Sequence, residues 1–160
     1  MMKRMLAIAT AIVLALALVG CQSEPTQQKD PAEVVAAINK EFLETNVDQL
    51  PALMELDAET LQQMYGIEPE WVTDYVCQFP MMNVHATEIF VAHVAEGHME
   101  EVKAALAARQ EALENTWELY LPDQYELVRN SVTEIRGDYV LYAVTEHADS
   151  LREIFERETK

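Results

Sequence analysis

The run Tyr139-Val140-Leu141-Tyr142-Ala143-Val144 constrains the fold most, because it is apolar at every position. A strand with one wet face alternates apolar and polar residues, whereas a strand covered on both faces has no such need. The run therefore predicts a central strand of a sheet. Arg136-Gly137-Asp138 comes directly before it and favours a tight turn, so residues 127–135 and 139–145 are expected to form a hairpin.

Periodicity in the rest of the chain predicts two further strands and four helices. β-Branched and aromatic residues at short spacing favour strands at residues 73–79 and 87–95. Asp30 and Pro31 are typical of a helix start, and Asp57 and Gly66 of a second helix's two ends. Apolar stripes predict helices over residues 30–46, 57–65, 99–120 (stopped by Pro122) and 148–158.

The order of these elements after residue 70 is strand, strand, helix, repeated once. Such an order predicts an α+β fold with a four-stranded, largely antiparallel sheet and helices packed against it. Two extra helices precede it. At about 130 residues, a single domain of residues 30–160 can bury a core of sufficient size.

The N-terminal segment predicts a lipoprotein signal. Lys3 and Arg4 precede an apolar run over residues 5–19, and Leu18-Val19-Gly20-Cys21 matches the lipobox pattern. Since a membrane-spanning helix needs roughly twenty apolar residues, the run is too short to remain as an anchor. We therefore expect residues 1–20 to be removed, and Cys21 to carry the lipid that holds the protein on the extracytoplasmic face of the cell membrane.

Residues 21–29 are then the lipidated cysteine and a polar, flexible tether. Eight extended residues reach at most about 25 Å, so the domain is expected to sit close to the membrane. The net charge of −17 becomes −19 without the two signal cations. Nucleic acid is therefore not an expected partner, because binding phosphates needs clustered Lys and Arg. An envelope protein partner remains possible, and the sequence leaves the oligomeric state open.

Several short segments resemble a known family of small Firmicute lipoproteins, catalogued as domain of unknown function four-three-five-eight. They are, in chain order, Tyr65-Gly66-Ile67-Glu68-Pro69-Glu70, Met82-Asn83-Val84 with Glu88-Ile89, Tyr120-Leu121-Pro122-Asp123-Gln124-Tyr125, and Gly137-Asp138-Tyr139-Val140. The resemblance covers most of residues 55–158 and implies a lipid-anchored extracytoplasmic domain. It implies no catalytic residues, and the helix from Asp30 to Asn46 is less typical of it.

The inventory of catalytic motifs is short. After residue 20 the glycines stand singly, at Gly66, Gly97 and Gly137, so no phosphate-cradling loop or nucleophile elbow is present. Cys77 is a possible nucleophile if His85 or His93 lowers its pKa. Its alternation with Tyr75 and Phe79 instead favours a buried place on one face of a strand.

Histidines and carboxylates cluster between residues 85 and 101. The candidate metal ligands among them are His85, His93, His98 and Glu96, although His93 and His98 are five residues apart rather than the four that place two ligands on one helix face. Trp71, Trp117, Tyr120 and Tyr125 are expected in the core, as are Met81 and Met82 beside Pro80.

The sequence thus predicts a non-enzymatic domain that binds or scaffolds something at the cell envelope and needs no cofactor. Two alternatives stay open. One is a divalent-metal-binding module that uses the cluster at residues 85–101, and the other is an enzyme with Cys77 as its nucleophile.

Overall fold

The computed structural model describes residues 29–160. The expected signal peptide, Cys21 and the tether up to residue 28 lie outside the described residues. Within that range the chain forms five α-helices and five strands, with a single 3₁₀ turn at Pro69–Trp71. The helices are α1 (Pro31–Asn46), α2 (Ala58–Tyr65), α3 (Met99–Trp117), α4 (Pro122–Arg129) and α5 (Ala148–Glu158). The strands are β1 (Leu53–Glu55), β2 (Val72–Pro80), β3 (Glu88–Val94), β4 (Val132–Arg136) and β5 (Tyr139–Val144).

The strands form one sheet in the order β1-β2-β3-β5-β4, and every neighbouring pair is antiparallel. The expectation of an α+β fold with an antiparallel sheet is therefore confirmed. β5 lies between β3 and β4, as its apolar run predicts, and β4 turns into it at Gly137. Among the described residues, no helix combines the length and the apolar character needed to cross a bilayer.

The sheet is covered on both faces, which is why β5 is apolar throughout and β3 is apolar over residues 89–92. Phe90 and Tyr142 point to the face that packs against α2, α3 and α4. Val91 and Leu141 point to the opposite face, where α1 and α5 cover them. Successive strand residues face opposite sides, so a two-sided core needs an apolar residue at every position.

The helix ends follow the expected chemistry. The backbone N–H of Ala32 donates to the Asp30 carboxylate (3.0 Å), and that of Thr60 donates to Asp57 (2.8 Å). Gly66 closes α2 with a φ of 68°, in the left-handed region that glycine adopts readily. These caps confirm the predicted starts of α1 and α2.

Two details of the expected fold are wrong. The sheet has five strands within residues 29–160 rather than four, because Leu53–Glu55 pairs with the end of β2. Residues 127–129 are helical rather than extended, because α3 ends at Trp117 and Pro122 starts a new helix, α4. Proline is well suited to the first helical position, where its missing N–H has no partner to lose.

Candidate binding cleft

A cleft of about 490 Å³ lies between the β2–β3 loop and the C-terminal half of α3. Apolar side chains form most of both walls. We call it the methionine cleft; its walls include Phe79, Met81 and Met82 on the sheet side and Leu113, Trp117 and Tyr120 on the helix side.

Three of the wall residues are exposed to a degree that is unusual for apolar side chains. Met81 is 64% exposed, Met82 52% and Tyr120 53%. The expectation that they belong to the core is wrong, because Met81 and Met82 follow the end of β2 and Tyr120 follows the end of α3. A contiguous group of exposed apolar side chains is typical of an interaction site.

The cleft also contains a buried ion pair. Glu88, at the start of β3, has only 2% of its side chain exposed, and Arg109, on α3, has 13%. Arg109 Nε donates to Glu88 Oε2 at 3.0 Å and Nη2 donates to Oε1, so the pair is bidentate. The hydroxyl of Tyr65 donates to Oε2 as well. Both carboxylate oxygens are therefore satisfied within the protein.

The surroundings of this pair keep Arg109 charged and fix its position. Burial alone would lower the pKa of Arg109, but the hydrogen bonds and charge of Glu88 raise it above its ordinary value. Its guanidinium lies over the rings of Tyr65 (5.0 Å to the centroid) and Phe79 (5.9 Å). Burial raises the pKa of Tyr65 well above its ordinary value, and Cys77 and Glu88 add to that rise.

Cys77 lies behind this network and is fully buried. Burial raises the pKa of its thiol to about 12, and the opposing effect of the nearby Tyr65 hydroxyl does not cancel that rise. A thiol that stays protonated is a poor nucleophile. Tyr75, Cys77 and Phe79 all pack against the same core cluster, which confirms the expected shared face of β2.

The four candidate metal ligands do not form one site: His85 lies near the start of β3, and the other three lie at or after its far end. His85 lies at the methionine cleft, before β3 begins. His93 lies near the far end of β3, with Nδ1 2.7 Å from Thr73 Oγ1 and its ring edge-on to Tyr139. His98 stacks on Trp71, and Glu96 is exposed in the turn before α3. In the part of the chain that the structure describes, no three His, Cys, Asp or Glu side chains converge as a metal site requires.

A second cleft, of about 370 Å³, lies on the other side of His85 and is more polar. Asp48, Glu146 and His147 contribute to its lining. The side chain of Gln124 lines this second cleft, and its Oε1 accepts a hydrogen bond at 2.8 Å from the backbone N–H of Ala86, which lines the methionine cleft.

Arg109 is the site residue that sequence reasoning missed, although a signal for it exists. Val102, Leu106, Leu113 and Trp117 are the buried residues of α3, and Arg109 falls between them at the same helical spacing. A cation in the apolar stripe of a helix needs a buried counter-charge. Glu88 is its matching signal, because this carboxylate directly precedes the apolar run Ile89-Phe90-Val91-Ala92 of a buried strand.

Comparison with known proteins gives a family but no activity. The comparison with curated proteins found no match, and neither did the comparison with solved structures. A family model described as a domain of unknown function (DUF4358) matches residues 45–145. The match confirms the resemblance, although it stops short of α5. It spans more than half of the chain and includes both walls of the methionine cleft, so the chain belongs to the DUF4358 family.

Proposed function

We propose that this chain is a non-enzymatic, lipid-anchored extracytoplasmic domain that binds a segment of another envelope protein in the methionine cleft. The anchor is inferred from the lipobox Leu18-Val19-Gly20-Cys21. The binding role is inferred from the cleft, and the single observation that carries it is the exposure of Met81, Met82 and Tyr120 around one concave surface.

The composition of the cleft favours binding over catalysis. Methionine is unbranched and polarizable, so Met81 and Met82 can adapt to different apolar partners. Tyr120 is exposed and its ring lies 5.6 Å from that of the buried Trp117, so a rigid aromatic group stands beside the methionines. The polar groups of Glu88 and Arg109 are already paired with each other, which leaves no free base or nucleophile between them.

Site-directed photo-crosslinking in living cells tests this proposal. A photoreactive amino acid is placed at Met82 and, as a matched control, at Ile135, an exposed apolar residue of the edge strand β4. We expect one protein to be recovered repeatedly from the Met82 variant, to be missing from the Ile135 variant, and to depend on Cys21. Equal adducts from both positions, or none above background, would contradict the proposal.

A further inference from the structure

The two ends of β3 define two ends of the domain. At the first residue of β3, Glu88 pairs with Val144, and the loop that carries Met81 and Met82 lies directly before it. At the last residue, the backbone N–H of Val94 donates to the carbonyl of Asp138, in the β4–β5 turn, at 2.7 Å. Seven residues of strand separate these ends by roughly 20 Å. The methionine cleft therefore lies at one end, and the β4–β5 turn lies at the other.

The chain enters the domain at the end that is remote from the cleft. Lys29 Nζ lies 2.7 Å from the carboxylate of Glu158, the last residue of α5. The helix α1 begins here, and its 16 residues run roughly 24 Å to Asn46. Asp48, Gln49 and Leu50, directly after that end, line the second cleft together with His85. The proposed anchor before residue 29 is thus attached to the end of the domain that is remote from the cleft.

Charge is distributed unevenly along the chain. Residues 41–102 hold thirteen Asp and Glu but no Lys or Arg, and of these acids Glu88 lines the cleft. On the helix side, Glu114, Glu118 and Asp123 flank Trp117 and Tyr120 in sequence. Arg109 is the one cation that lines the cleft among the described residues, and Glu88 already neutralises it. Lys29 and Arg157 lie at the chain-entry end, where both pair with Glu158.

We infer that the occupant of the methionine cleft is an apolar protein segment flanked by Lys or Arg, which approaches the end of the domain that is remote from the chain entry. This inference rests on the proposed function. Apolar side chains of this segment fill the space between the methionines and Tyr120, while its flanking cations meet the carboxylates of Glu114, Glu118 and Asp123 on the helix side. Anionic lipid is disfavoured as the occupant, both by those carboxylates and by the position of the chain entry.

Fluorescence of Trp117 provides a direct test. The secreted Cys21→Ala form with Trp71→Phe keeps Trp117 as its one tryptophan, and circular dichroism verifies that it folds. The probes are two synthetic peptides with the same Leu-Phe-Leu core, flanked on each side by two lysines in one and by two glutamates in the other. Vesicles of phosphatidylglycerol form the third arm.

We expect the lysine peptide to shift the emission of Trp117 and to bind at least about tenfold more tightly than the glutamate peptide. Salt at about 0.5 M should remove this preference, because it screens the charges. Met82→Ser should weaken binding of the lysine peptide, and Glu118→Lys should reduce the preference between the peptides. Glu126→Lys, a charge reversal on the exposed surface of α4, is the matched control. It should leave unchanged both the affinity for the lysine peptide and the preference between the two peptides.

Equal binding of the two peptides, or no binding of either, would overturn the inference about charge. The proposed function would still stand if Met82 formed its specific adduct in cells. A shift of Trp117 with the vesicles alone would show that the occupant is lipid. Loss of both the cellular adduct and the peptide response would remove the proposed function itself.

Discussion

Removing Arg109 tests the buried ion pair most sharply. In Arg109→Met the apolar part of the side chain is kept, but the carboxylate of Glu88, with 2% of its side chain exposed, loses its counter-charge. Breaking a buried pair in this way costs about 3–5 kcal/mol of unfolding free energy. For a domain of about 130 residues, this corresponds to a fall in Tm of roughly 10–18 °C.

The double variant Glu88→Met with Arg109→Met distinguishes the cost of an unpaired buried charge from the cost of altered packing. Both charges are then absent, so only the unsatisfied hydroxyl of Tyr65 remains, at a cost of about 1–3 kcal/mol. We therefore expect the double variant to be more stable than Arg109→Met alone. Arg129→Met is the surface control, because the Arg129–Glu126 pair is exposed and its loss should cost less than about 1 kcal/mol.

Urea unfolding followed by circular dichroism measures five proteins: the wild type, the single variants Glu88→Met and Arg109→Met, the double variant, and Arg129→Met. An unchanged dependence of the unfolding free energy on urea concentration ensures that the midpoints report stability. If the double variant loses as much as the two single substitutions together, the side chains contribute independently. The argument for a coupled buried pair would then fail.

Three further predictions concern the core and one helix end. Native Cys77 should resist alkylation at pH 8, because burial raises its pKa to about 12, and should react fully in urea; rapid native labelling would refute the assignment. Burial raises the pKa of Tyr65 and Tyr142 above the ordinary 10.0. The stability that these raised pKa values contribute to the folded state is therefore fully present below the pKa of unfolded tyrosine and is lost as the pH rises through the folded-state pKa. Tyrosinate absorbance should thus appear together with unfolding. Tyrosinate without unfolding would contradict this. Gly66→Ala should cost about 1 kcal/mol in urea unfolding, because the φ of 68° strains an alanine although its methyl has space, whereas an unchanged midpoint would argue against the left-handed cap.

The elements that sequence reasoning predicts well are those with a local chemical cause. Asp30 and Asp57 cap helices with their own carboxylates, and Gly66 ends α2 through its own backbone freedom. β5 was predictable because an apolar run without alternation has to be covered on both faces.

The elements that it misses depend on distant partners. Leu53–Glu55 is too short to show any alternation and is a strand only because the end of β2 pairs with it. Pro122 is compatible both with the end of one helix and with the start of the next, and only the surrounding structure shows that α4 begins there. Arg109 and Glu88 are 21 residues apart, and only the packing of α3 on β3 brings them together.

Methionine oxidation in cells tests the occupancy of the cleft most directly. Met81 and Met82 are exposed in the domain, whereas the half-buried Met99, at the start of α3, lies outside the cleft and serves as the control. Each residue's oxidation by a brief peroxide pulse is compared between intact cells and the purified domain. A bound partner predicts strong protection of Met81 and Met82 in cells, with Met99 unchanged. Equal oxidation of all three in both samples would contradict a cleft that is occupied by a partner.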